Sequence, residues 1–368
     1  MKNLLLLLTI VFSLYSCDTE QIIITNSLTK VHFLDENNGW VIGNHGMMYE
    51  TKNSGISWNK IELNTDVELS DLYFTDKNIG YLIGERGLLV KTTNGGSSFE
   101  RYEALGSSNF LRDISFLNSD KGLITGTNGS IYLTEDAGQT WEDKSFFIGQ
   151  TLIEEDIRAG AIRNENEIWL VSNYSSTVYD SLGKAFATTF IMLYKSMDGG
   201  DSWQEMIERN DLTHNSSLAF DMKINGDYLY VASDYQIIRI NLETSLNTID
   251  MFVYDVYYDI NRRNFERSMS FKGLAFKNDE VWAAGSYGTN KSAVYNTLDN
   301  GVSWNLQFIT EKDSIDAEAG IPSKNEFMYI RDIEYVNGLN SRFIAVGGKG
   351  YKILTSFDGE NWESMILD

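Results

Sequence analysis

Short apolar segments in which alternate positions turn polar recur along the chain, each ended by small and polar residues. Three of them read VHFLDENNGWVIGN from Val31, LYFTDKNIGYLIGE from Leu72 and ISFLNSDKGLITGT from Ile114. Period-two alternation marks half-buried strands, and the polar clusters between them mark hairpin turns. Aligned on its second strand, the unit appears as GWVIGN, GYLIGE, KGLITGT, EIWLVSN, YLYVASD, EVWAAGS and RFIAVGG, beginning at Gly39, Gly80, Lys121, Glu167, Tyr228, Glu280 and Arg342. That makes seven copies. A third alternating segment such as GMMYE or GSIYL then leads into an eight-residue motif: Ser/Thr, any, Asp/Asn, any, Gly, any, Ser/Thr, aromatic.

The motif occurs as TKNSGISW from Thr51, TTNGGSSF from Thr92, TEDAGQTW from Thr134, SMDGGDSW from Ser196 and TLDNGVSW from Thr297, with a shortened SFDGENW from Ser356. Its chemistry is structural. Asn53, Asn94, Asp136, Asp198, Asp299 and Asp358 are placed to accept turn N–H groups, the glycine to supply positive φ and the hydroxyl to brace the loop. Trp58, Trp141, Trp203, Trp304 and Trp362 are placed to pack beneath. Successive starts lie 41, 42, 62, 101 and 59 residues apart, and the interval of 101 fits two units, the fifth having lost its motif.

Unit and motif together predict a four-stranded sheet that cannot bury both faces alone, so seven sheets stack radially around a channel. The expected fold is all-β, a seven-bladed β-propeller over residues 28–368 as one domain. Residues 17–27 form a tether in which QIIITN, at 21–26, reads as an extra strand closing the ring. The motif resembles the Asp-box, or BNR repeat, of sialidases and related propellers. The whole repeat looks most like the seven-bladed photosystem II stability/assembly factor propellers, over about residues 28–366. That resemblance implies a non-catalytic assembly scaffold that binds protein; nothing in the composition suggests photosynthesis.

The N-terminus carries Lys2, an apolar run over residues 4–14 and then LYSC. A positive start, a short apolar core and a small residue form an export signal, too short for a spanning helix of about 20 residues. LYSC resembles a bacterial lipobox, so residues 1–16 are expected to be removed and Cys17 lipidated, giving an envelope lipoprotein of the outer membrane. The mature chain then keeps 29 basic against 52 acidic groups. An acidic body stands off an anionic bilayer and makes nucleic acid a poor partner. One cysteine excludes a disulfide framework, and the histidines His32, His45 and His214 lack metal-site spacing, so neither metal nor cofactor is expected.

In such a propeller the motifs are turns between strands C and D, on one face. Long connections at 144–156, 173–190, 245–271 and 310–329 all fall on the other, as D-to-A links or B-to-C turns. Near the start of strand A, four residues before its final apolar position, the seven units carry Thr29, Ser70, Arg112, Arg158, Phe220, Lys272 and Arg331. Four bases in an acidic protein suggest a carboxylate clamp at the channel mouth, since arginine grips carboxylates with a planar fork of donors. The structural alternative pairs each base with a nearby acid, and Asp113 and Asp332 directly follow Arg112 and Arg331. The B-to-C turns add a rim of His45, Arg86, Asn128, Tyr174, Tyr235, Tyr287 and Lys349, suited to a peptide or glycan.

Two functions follow. The first is a monomeric, lipid-anchored scaffold whose loop-rich face holds a protein client by its carboxylates. The second is a sialidase-like glycoside hydrolase or glycan-binding propeller using the arginines, with Asp71, Asp113, Asp221 and Asp332 as carboxylate candidates. Seven units rather than six, and the lack of a Phe-Arg-Ile-Pro segment, weigh against the second.

Overall fold

The structure is a computed structural model that describes residues 27–102, 105–145, 155–179, 183–206, 218–243, 250–255, 269–287, 291–309, 329–348 and 351–367. Cys17, the leader and the segment at 21–26 lie outside the described residues. Seven four-stranded antiparallel sheets are formed, each from four consecutive strands, named A to D here. Strand A runs over Leu28–Phe33, Leu69–Phe74, Leu111–Phe116, Asp156–Ile162, Ala219–Asn225, Met269–Lys277 and Ile330–Val336 in blades 1 to 7. The second strands fall where the alignment places them, from Gly39–Gly43 to Arg342–Gly347.

Each pair of neighbouring blades encloses one apolar cluster. Leu82 and Leu88 of blade 2 pack on Trp40, Ile42 and Met48 of blade 1, and Val231 and Ile238 of blade 5 pack on Trp169, Val171 and Leu193 of blade 4. Burying each such side chain contributes about 1.5–3 kcal/mol, so sheet-to-sheet contact is the main term holding the ring. The ring closes by the same means: Leu28, Val31 and Val41 of blade 1 pack on Ile344, Val346 and Ile353 of blade 7. Among the described residues no sheet borrows a strand from another blade.

The Asp-box turns form as their residue types dictate. In the third, Thr134 Oγ1 receives the Gly138 N–H at 2.8 Å, while Asp136 receives the Thr140 N–H at 2.8 Å and its hydroxyl at 2.7 Å. In the first, Asn53 receives the Ser57 N–H at 3.0 Å and donates to its hydroxyl at 2.9 Å. The box tryptophans reach into the cluster shared with the preceding blade: Trp58 joins blades 7 and 1, and Trp203 joins blades 3 and 4.

Two long connections differ from expectation. Residues 173–190 are not a loop: strand B of blade 4 runs to Tyr179 and strand C begins at Ala185, paired from Asn173↔Ile191 to Tyr179↔Ala185. The run of Ser, Thr and Val continues the ladder as a projecting hairpin. The segment at 245–271 contains strand D of blade 5, Asp250–Asp255, paired along strand C from Gln236↔Asp255 to Asn241↔Asp250. Without an Asp-box to announce it, that strand reads as insertion.

Candidate functional site

The seven aligned strand-A positions share a structural cause. In every blade the A–B ladder skips one residue: between Leu28 and Lys30, Leu69 and Asp71, Leu111 and Asp113, Ile157 and Ala159, Ala219 and Asp221, Phe271 and Gly273, and Ile330 and Asp332. The skipped residues are Thr29, Ser70, Arg112, Arg158, Phe220, Lys272 and Arg331. A bulge frees a side chain from the pleat and re-aims it. All seven line one cavity of about 610 Å³ at the mouth where the D-to-A links arrive, beside Phe110, Tyr329 and Gly348.

Sequence reading missed what lets the bulges form. The strand-B residue paired with the position just before the bulge is Gly43, Gly84, Gly126, Gly285 or Gly347 in five blades and Ser172 or Ser233 in the other two. A Cβ on Gly126 would lie 2.6 Å from the Phe110 carbonyl, and one on Gly285 would lie 1.9 Å from that of Ser270. The recurring final Gly of VIG, LIG and ITG was the available signal.

At the mouth, Arg112 meets Asp156 through Nε at 3.0 Å and Nη2 at 3.1 Å, and Arg158 meets the same carboxylate at 2.9 Å. Arg331 lies 3.5 Å from Glu68. Lys272 has no carboxylate within ion-pair distance among the described residues; its amine sits 3.0 Å from the centre of the Phe220 ring. Burial, opposed by Asp234 and reinforced by Arg158 and Arg331, draws its pKa down to about 8. Arg112 stacks over Phe110 at 4.1 Å. The four bulge cations thus face two ion-paired carboxylates, with Lys30 and Asp113 also lining the cavity, and the buried Nε of Arg158 has no partner among the described residues. The site can take a further anion, most readily a carboxylate.

The alternative pairings of Arg112 with Asp113 and of Arg331 with Asp332 do not form, and the acids that do pair are Asp156 and Glu68. The base points to the mouth while the next side chain turns into the channel, so neighbours in sequence diverge. Instead, Asp71 accepts the Ile114 N–H, Asp113 the Gly160 N–H and Asp332 the Val31 N–H, each at 3.1 Å, and Asp221 accepts the Leu274 N–H at 2.9 Å. Each acid therefore clips its blade to the next, and Asp332 clips the last blade to the first. Glu334 adds a second clip to the Phe33 N–H at 2.9 Å, and burial raises its pKa to about 8. Lys30, 3.7 Å from Asp71, stays charged because Asp332 and Asp71 outweigh its burial. His32 is brought down to about 4 by burial and then by Lys30, and its Nε2 accepts the Phe74 N–H at 3.3 Å. Lys30, His32, Asp71, Asp113, Asp221 and Glu334 line a second cavity of about 360 Å³ further along the channel. The four aspartates weighed for sugar chemistry are committed to backbone.

The described rim residues do not gather with the bulge residues. Arg86 is exposed at a turn position with φ of 57° and lies outside the mouth cavity, and His45, Asn128 and Tyr235 hold equivalent left-handed turns. Tyr174 is half-buried against the core of blades 3 and 4. Lys349 and the Tyr287 side chain lie outside the described residues.

Comparison with known proteins agrees with this architecture. The family model described as "Photosynthesis system II assembly factor YCF48" matches residues 54–109. The photosystem II assembly lipoprotein Ycf48 of Prochlorococcus marinus (strain MIT 9313) is 31% identical over 322 residues, 83% of this chain and 85% of that one. Its description as a lipoprotein is in keeping with the lipobox reading of Cys17. Among solved structures, YCF48 bound to a D1 peptide superposes with a TM-score of 0.58 at 18% identity, covering 94% of each chain. YCF48 from Cyanidioschyzon merolae gives 0.59 at 16% identity over 92% of this chain and 98% of that one. At those identities the structures show the common fold. On the strength of the relative that is 31% identical over most of both chains, the chain belongs to the family of the photosystem II assembly factor Ycf48.

Proposed function

We propose that this chain is a non-catalytic scaffold, anchored by lipid on Cys17 at the outer membrane, that holds a client protein segment on the face opposite the Asp-boxes. The observation that carries the reading is the convergence of Arg112, Arg158, Lys272 and Arg331 on bulges around one cavity, with fewer ion-paired carboxylates than cations. The ligand class that fits is an acidic peptide segment or a chain-terminal carboxylate, with Phe110 and Phe220 offering apolar surface beside the charges. The solved relative bound to a D1 peptide supports the peptide class. A chain with net charge −22 does not hold acidic clients by its general surface, so the mouth must supply the attraction. The test is co-purification from native membranes of the wild type and an Arg112→Ala, Arg158→Ala, Arg331→Ala variant with an unchanged unfolding midpoint. A stoichiometric partner lost in the variant is the expected result; equal retention removes the basic mouth from the mechanism.

A further inference from the structure

We propose that Lys272 is a carbon dioxide site: its amine forms a carbamate in the channel mouth, turning a cation into an anion and closing the mouth to acidic clients. The bulge at Phe271–Gly273 directs the side chain into the 610 Å³ cavity. Phe220 covers the amine at 3.0 Å, which removes water from one side. No carboxylate among the described residues lies within ion-pair distance of it: Asp156 is held by Arg112 and Arg158, Glu68 lies by Arg331, and Asp234, whose charge acts on the amine from further off, receives the Ser270 hydroxyl. Burial and the guanidiniums of Arg158 and Arg331 leave much of the amine neutral near pH 8, and the same guanidiniums would neutralise the product.

The step balances without a redox partner. The neutral Lys272 nitrogen donates its lone pair to the carbon of CO₂, one C=O π pair moves onto oxygen, and an N–H proton passes to water, leaving N–COO⁻. Carbamate therefore rises with pH through about 8, as the ammonium form is lost.

Formation of the carbamate rests on the mouth geometry, while its effect on clients rests on the scaffold reading, so the two are measured separately. The full chain is equilibrated with or without ¹³CO₂ at pH 8, treated with a trialkyloxonium salt that esterifies carbamates, and mapped by mass spectrometry. An alkyl carbamate on Lys272, several-fold above that on Lys77, whose side chain is 73% exposed, is expected. Absence at Lys272, or equal labelling of Lys77, overturns the site. In the second arm, CO₂ reduces capture of the acidic client by the wild type and leaves Lys272→Arg unaffected, because arginine keeps the charge and forms no carbamate. Equal sensitivity of both overturns the closing role. If neither captures a client, the scaffold reading fails while the adduct map still decides the carbamate.

Discussion

Single residues do two separate jobs in strand A, and the bulge divides them. Asp332 receives the Val31 N–H where the last blade meets the first. Asp332→Ala leaves that buried N–H unsatisfied and is expected to cost about 1–3 kcal/mol, read as a lower urea midpoint. Arg112→Ala, at the half-exposed mouth, should shift stability far less, and that contrast checks the division of labour. The box acids act differently. Hydrogen bonds from Thr140 and Ser303 hold Asp136 and Asp299 at about 2, below the value of roughly 3.9 for a free aspartate. A depressed carboxylate stabilises the fold fully above the free value and loses that contribution as the pH falls through the folded one. The acid limb of unfolding should therefore include a component between about pH 4 and 2 that becomes shallower in Asp136→Asn. Boxes 1 and 2 already carry Asn53 and Asn94, which accept the same turn N–H and donate to the hydroxyl instead of accepting from it, so the variant should fold.

At the scale of the element, what was legible in the sequence is what is local. An Asp-box satisfies itself within eight residues, so its turn and the strands beside it can be read directly. Strand D of blade 5 has no such marker, and the arm of blade 4 looks like a loop because Ser and Thr are ambiguous until the ladder is seen. The aligned bases were visible as a column, but their bulge was not, because it depends on a partner strand whose glycine meets a carbonyl. Gly126→Val should force Phe110 and the bulge apart, with an overpacking cost of about 1–3 kcal/mol, and should weaken client capture through Arg112. The urea midpoint and the capture assay together check this; unchanged capture in a folded variant would show that Arg112 needs no bulge. The acid partners were not legible for a related reason. Asp156 and Glu68 come from other blades or links, and only the closed ring brings them to Arg112 and Arg331.

For the whole molecule, seven equivalent blades give seven equivalent strand-A positions, and unequal occupation of those positions makes the site. Blades 1 and 2 place hydroxyls there, and these tie to the next blade: Thr29 to the Leu69 carbonyl at 2.7 Å and Ser70 to that of Leu111 at 2.6 Å. Blades 3, 4, 6 and 7 place bases, and blade 5 a phenylalanine. The resulting cationic sector lies opposite the Asp-boxes, which is why the proposed client face is the one fed by the D-to-A links. Site-specific photo-crosslinking in native membranes tests this most directly. A photoreactive residue at Tyr329, on the mouth, should capture a client protein, while one at Phe357, 67% exposed on an Asp-box turn, should not. Capture at Phe357 with none at Tyr329 would contradict it and turn the molecule the other way up.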